Sequence, residues 1–265
     1  MPLSKNGTAY KITGPEGAPV VVLIHGLGMT YQSTWGGMAD AFSARYRVLN
    51  YDLCGHGASA LPSEPPGLTV LAEQLIGLMD ELDIRQATLI GFSLGGMINR
   101  RVAMDHPERV AALVILNSPH ERSAEAQKLV ENRARDSSQG GPEAVIDANL
   151  ERWLTPEFHA KFPDQVKMLR DVVVANDHQN YARHRRVLAE GVIELIRPDP
   201  PIQHPTLVIT CENDTGSTPE MSRAIASEIK GAQVIIVPGL KHLGLVEKPI
   251  YFANQIIDFL FKNKD

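Results

Sequence analysis

Cysteine is almost missing from this chain. Of its 265 residues two are cysteines, Cys54 and Cys211, far apart and in no C-x-x-C pattern. That leaves no disulfide framework and no cysteine zinc site to organise the fold, and a reducing compartment, the cytoplasm, is the natural expectation. Long apolar runs are missing too. No stretch approaches the roughly 20 residues that span a bilayer, and residues 1–7 lack the apolar core of a signal peptide. A membrane partner is therefore not expected. Nor is positive charge in excess: 26 Lys and Arg stand against 31 Asp and Glu, for a net charge of −5. Without a basic footprint, nucleic acid is not an expected partner either. What is present, 43% hydrophobic and 22% charged residues, is the composition of a globular protein. The length suits one large α/β domain with an insertion, or two small domains.

Along the chain, short apolar runs alternate with amphipathic stretches, the pattern of a parallel sheet covered by helices. Asn6-Gly7 reads as a turn joining two opening strands. Residues 20–24, all valine, leucine or isoleucine, read as a buried central strand. Residues 47–51, 87–92, 112–116, 206–210 and 233–237 read as further strands. Leu71, Leu75, Leu78, Met79 and Leu82 recur at helical spacing, as do Leu94, Met97, Ile98 and Val102, and Phe252, Ile256, Phe259 and Leu260. A helix should start near Thr218, with Pro219 in its first turn. The rhythm breaks from His120 to about His204, where the chain is polar and helical. A structureless loop of that length is implausible in a compact domain. The expected organisation is a core in two parts, 1–119 and 205–265, with a helical cap at 120–204.

Gly91-Phe92-Ser93-Leu94-Gly95 matches G-x-S-x-G where a strand passes directly into a helix. Such a turn needs glycines because two backbones approach closely, and it exposes a strained serine at a helix N-terminus. A serine hydroxyl is a poor nucleophile at neutral pH and needs a base, which in turn needs an orienting acid. His242 follows the last strand and Asp214 the strand before it, so all three residues sit at strand carboxyl ends, where sites in such sheets assemble. The order Ser, Asp, His is the one this arrangement uses. Glu212 is the alternative acid if Asp214 is only a turn residue, and Ser93 could serve merely as a helix cap. His106 and His184 fall on predicted helices and should face solvent. The glycine-rich turn His25-Gly26-Leu27-Gly28 can aim a backbone N–H at a ligand. The N–H groups of Leu27 and Leu94 are the expected oxyanion hole, each worth about 3 kcal/mol in the transition state. His25 reads as a structural hydrogen-bonder, and Asp52, His56 and Ser59 as scaffold.

Together these segments resemble the α/β-hydrolase family: His-Gly-x-Gly at 25–28, Gly-His-Gly-x-Ser at 55–59, Gly-x-Ser-x-Gly-Gly at 91–96, then Asp214 and His242. At finer grain the chain is most similar to 3-oxoadipate enol-lactonases, in residues 91–97, 106–110 and, within the cap, 151–156. It departs from the family at Cys54, where arginine is common, and at Cys211, where glycine is. The resemblance implies an α/β-hydrolase fold and hydrolysis of a small lactone or ester through an acyl-enzyme, with no metal or organic cofactor. An enol-lactone of that kind carries a carboxylate, so an anionic small molecule is the implied partner. Arg152 is the implied cation, Trp153 an apolar wall and Arg122 a weaker candidate. A general carboxylesterase or a carbon–carbon bond hydrolase could use the same triad. A ligand receptor on this fold is a reading of another class, against which the intact triad counts.

Overall fold

Strand formation here follows the aliphatic runs. The computed structural model describes residues 1–263, side chains excepted at 133 and 136–139. Its strands are β1 (Tyr10–Thr13), β2 (Val20–Ile24), β3 (Arg47–Tyr51), β4 (Ala87–Phe92), β5 (Val110–Leu116), β6 (Thr206–Cys211) and β7 (Gln233–Val237). Every residue of β4 and β6 is buried. Covered on both faces, such strands gain from continuous β-branched and aliphatic sequence rather than from alternation. They form one seven-stranded sheet in the order β1-β3-β2-β4-β5-β6-β7. β1 runs antiparallel to β3, and all other neighbours are parallel.

The fold is thus the expected α/β-hydrolase sheet, with one local difference at its start. The Asn6-Gly7 turn is present, but the strand before it shrinks to a single bridge between Leu3 and Ala9. Polar side chains there satisfy the backbone instead, with Thr8 N donating to Ser4 Oγ and to Asn6 Oδ1.

Two short helices, α1 (Tyr31–Trp35) and α2 (Ala39–Ser43), link β2 to β3, and α3 (Leu68–Glu81) and α4 (Leu94–Asp105) flank β4 in sequence. The connection from β5 to β6 holds α5 (Ala124–Gly140), α6 (Glu143–Trp153), α7 (Pro156–Lys161), α8 (Pro163–Val174) and α9 (His178–Glu190). The expected helix at Pro219 is α10 (Pro219–Ser227), capped by the Thr218 hydroxyl. α11 (Gly244–Glu247) and α12 (Pro249–Lys262) close the chain.

The strand order matters for the site. From β2 the chain turns to β3 on one side and then returns to β4 on the other. The loops leaving the carboxyl ends of β2 and β4 therefore diverge around a crevice, the place where ligands bind in open sheets of this kind.

Candidate active site

At the end of β4 the backbone turns within one residue. Ser93 has φ 54° and ψ −111°, a left-handed conformation costly for any residue with a Cβ. The neighbours explain how it is held. A side chain at Gly91 would collide with the Gly95 carbonyl, and one at Gly95 with the Ile24 carbonyl, so only glycine lets helix and strands approach this closely. Ser93 N donates to Leu116 O at 2.8 Å, and Ser118 Oγ donates to Ser93 O at 2.9 Å. Arg100, fully buried, donates to Ser118 Oγ and to Pro119 O, which braces the far side of the turn.

The structure brings Ser93, His242 and Asp214 into one hydrogen-bonded series. Ser93 Oγ lies 3.2 Å from His242 Nε2, and His242 Nδ1 lies 2.6 Å from Asp214 Oδ2. A carboxylate only accepts, so Nδ1 carries the proton and Nε2 is left to accept from the serine. Asp214 Oδ2 also accepts from Asn117 Nδ2 at 2.8 Å, while Oδ1 accepts from the N–H groups of Gly216 and Ser217. Burial by itself would raise this carboxyl. The His242 charge and the bonds from His242, Asn117 and Ser217 outweigh it and hold Asp214 below the ordinary carboxylate range. Glu212 is elsewhere, exposed and accepting from Gly239 N. Asn117 is a contact of the candidate site that the sequence reading missed. Its φ of 45° just past a strand end is a conformational oddity that only coordinates reveal.

Neither Leu27 N–H nor Leu94 N–H donates to another described residue. Leu94 opens α4, where the first N–H groups have no partner within the helix. The Leu27 loop lies against Ser93, since a Cβ on Gly26 would sit 3.3 Å from the serine Cβ. Two buried histidines shape that loop. His25 Nε2 accepts from Leu53 N at 2.9 Å and His25 Nδ1 donates to Gly26 O at 2.8 Å. His56 Nε2 accepts from Gly28 N at 3.0 Å, and His56 Nδ1 donates to Cys54 O at 3.2 Å. Both rings must be neutral to accept at Nε2, and burial pushes both pKa values down. Asp52 and Ser59 belong to the same scaffold, with Asp52 accepting from Tyr31 N and Ala58 N.

A cavity of about 330 Å³ opens over Ser93 and His242. Arg152 and Trp153 both line it, as do Arg122 and Arg185. Arg152 donates to Asn149 Oδ1, and the Trp153 ring lies 6.1 Å from that of His242. Leu129, Val130 and Leu188 supply apolar wall. Arg185 on α9 is a second residue the sequence reading missed, because nothing in a polar helix says which face meets the site.

Comparison with known proteins gives the chain a family. Residues 21–255 match the alpha/beta hydrolase family. The chain belongs to that family. It is 29% identical to the 3-oxoadipate enol-lactonase 2 of Acinetobacter baylyi, over 93% of this chain and 90% of the relative. It is also 29% identical to the (E)-2-((N-methylformamido)methylene)succinate hydrolase of the same organism, over 91% of this chain and 89% of the relative. The crystal structure of the enol-lactonase from Burkholderia xenovorans superposes with a TM-score of 0.87 at 31% identity, covering 96% of each chain.

The structure gives each of the two cysteines a packing role. The Cys211 thiol rests against Gly244 and donates to Asn117 Oδ1 at 3.9 Å, and burial pushes its pKa up to about 12. Cys54 is half-buried, 4.0 Å from His184 Nε2, with burial pushing its thiol up to about 11. Neither is a thiolate at neutral pH. His184 itself corrects an expectation: it lies on α9 but is fully buried rather than solvent-facing, edge-on to His56 at 4.7 Å between ring centres. The cause is the seat of α9, which lies on the 54–56 loop, with Asn180 Nδ2 donating to Gly55 O. His106 is half-buried and pairs with Glu73 at 2.7 Å. Among the described residues no helix is long and apolar enough to cross a membrane.

Proposed function

We propose that the chain is a serine hydrolase that cleaves a small, carboxylate-bearing lactone or ester through an acyl-enzyme, with 3-oxoadipate enol-lactone as the leading candidate substrate. The observation that carries this reading is the hydrogen-bonded series Ser93–His242–Asp214 beside two unused N–H groups. His242 Nε2 takes the proton as Ser93 Oγ attacks the carbonyl carbon, and the N–H groups of Leu27 and Leu94 receive the oxyanion. Collapse of the tetrahedral adduct breaks the C–O bond, and His242 returns the proton to the leaving oxygen. Water, deprotonated by the same imidazole, then releases the acid and restores Ser93. Asp214 stays ionised and keeps the imidazole in the tautomer that accepts from serine.

The anionic preference rests on the cavity walls. Three guanidinium groups line it, against the single carboxylate of Asp214, which is already engaged with His242. Two relatives bear names of acidic compounds, an oxoadipate enol-lactone and a succinate, which fits that charge. Residues 120–204 act in this reading as the cap that closes the site, with Arg152 and Trp153 in its wall. A neutral fluorophosphonate should label Ser93 stoichiometrically. Ser93→Ala should remove labelling and lower kcat on small esters by about 10⁵-fold or more without lowering Tm. Retention of half the turnover would end the proposal.

A further inference from the structure

We infer that Arg122, rather than Arg152, takes the substrate carboxylate, through the Nε–Nη2 edge of its guanidinium. The inference rests on the reading that this cavity is the substrate site. Arg122 stands just past β5, on the segment whose Ser118 hydroxyl holds the Ser93 carbonyl and whose Pro119 lines the same cavity. It is half-buried, and only its Nη1 is engaged: it donates to Gln127 Oε1 at 3.1 Å and to Ala189 O at 3.4 Å. Both acceptors are neutral. Glu131 is connected to it only through an amide, since Gln127 Nε2 donates to Glu131 Oε1. Among the described residues Nε and Nη2 make no hydrogen bond, and no acid forms an ion pair with Arg122. Burial lowers its pKa with no opposing carboxylate, the electrostatic mark of a cation awaiting a partner.

That free edge is the one with two parallel N–H groups, the fork that matches a carboxylate. Gln127 and Ala189 anchor the guanidinium at Nη1, so less side-chain freedom remains to be lost on binding. Arg152 is differently placed. Its Nη2 is committed to Asn149, and the flanking residues are fastened to the His242 loop: Lys241 Nζ donates to Glu151 O, and Leu243 N to Trp153 O. Arg152 therefore belongs to a segment that positions the catalytic base. The substrate implied is an acid whose carboxylate meets Arg122 while its acyl carbonyl meets Ser93, with a short aliphatic stretch along Leu129, Val130 and Leu188.

The test compares two esters of equal size, the mono-4-nitrophenyl ester of glutaric acid and the 4-nitrophenyl ester of glutaramic acid. The readout is the ratio of their kcat/KM values, with fluorophosphonate labelling counting folded sites in each variant. Arg122→Ala should lower the anion-over-neutral ratio about 100-fold. Arg122→Lys, which keeps charge and loses the fork, should lower it about tenfold. Arg152→Ala and Arg185→Ala should change it less than threefold. An unchanged ratio in both Arg122 variants, or a larger fall at Arg152 or Arg185, overturns the inference. If the wild type neither labels at Ser93 nor cleaves either ester, the hydrolase reading fails instead. Calorimetric binding of pentanoate against pentanamide then decides the Arg122 fork without turnover. Loss of the pentanoate preference in Arg122→Lys upholds it, and an equal preference in wild type and variant overturns it.

Discussion

Asp214 accepts four hydrogen bonds while almost fully buried, and the division of labour between its oxygens is informative. Oδ1 is held by two backbone N–H groups of its own turn, which fix the carboxylate plane. Oδ2 is shared between His242 and Asn117, so the asparagine sets how squarely that oxygen faces the imidazole. Asp214→Asn should lower kcat by about 10⁴-fold, because an amide favours the wrong imidazole tautomer, whereas Glu212→Gln should leave kcat within a factor of about three. Asn117→Ala should fall between, about tenfold to a hundredfold in kcat with KM little changed, as a lost hydrogen bond to a charged group costs about 1.5–3 kcal/mol. Steady-state kinetics on one neutral ester reads all three variants, and a larger effect at Glu212 than at Asp214 would reassign the acid. At this scale the sequence told what chain order and strand ends can tell: a serine between glycines after β4, an acid after β6, a histidine after β7. Asn117, Arg185 and the His56–Gly28 bond were hidden because each depends on an approach between segments distant in sequence.

The same division holds between elements. β2, β3, β4 and β7 were legible to the residue, because each is a short apolar or β-branched run between polar or turn-forming segments. The helices α5 to α9 were legible only as a polar helical stretch. Their seats depend on polar contacts with the core, which periodicity does not encode. The sharpest case is the end of α6. Four hydrogen bonds join residues 151–155 to residues 241–247: Lys241 Nζ to Glu151 O, Leu243 N to Trp153 O, and Thr155 N and Oγ1 to the two oxygens of Glu247. They bracket His242, so the insertion between β5 and β6 holds the loop bearing the proposed base. Glu247→Ala should lower kcat about tenfold on a neutral ester, since small displacements of a reacting group are costly. It should also destabilise the fold by about 1–3 kcal/mol, from the two donors of Thr155 left without their acceptor. Kinetics together with urea denaturation check both. A loss of stability with an unchanged kcat would mean that the clasp fastens the insertion without positioning His242.

At the scale of the whole molecule, a store of pH sensitivity lies in a histidine cluster that takes no part in the proposed chemistry. His25, His56 and His184 meet beside the 25–28 loop, with ring centres 5.3 Å apart for the first pair and 4.7 Å for the second. The groups facing them are the Cys54 thiol, held neutral by burial, and Asp52, whose Oδ1 is 3.9 Å from His25 Nε2. Burial is the main cause that lowers all three imidazoles, helped at His56 by the charges of the other two, and it brings His184 down to about 4. An unfolded imidazole takes up its proton near pH 6.5. Between that pH and about 4 the unfolded chain therefore binds more protons than the folded one, so stability rises with pH across this window and is lost as pH falls through it. Each fully suppressed histidine contributes a slope of about 1.4 kcal/mol per pH unit. Three such groups would remove at most about 8 kcal/mol over two units, a large part of the roughly 5–15 kcal/mol of a typical fold. Urea denaturation at intervals from pH 7 to pH 4 should show that steep fall. His184→Gln should take about one proton's worth out of the slope, about 1.4 kcal/mol per unit, even if it lowers stability at pH 7. Asp214 does not confuse the result, because its depressed carboxyl contributes stability that is lost only below the ordinary carboxylate range. The loop that the cluster holds carries the Leu27 N–H, so activity should fall in step with fluorescence of Trp35 and Trp153 as pH drops below about 6. A flat stability profile between pH 6.5 and 4 would show that these histidines are not held neutral, and a protonated His56 Nε2 could not accept from Gly28 N.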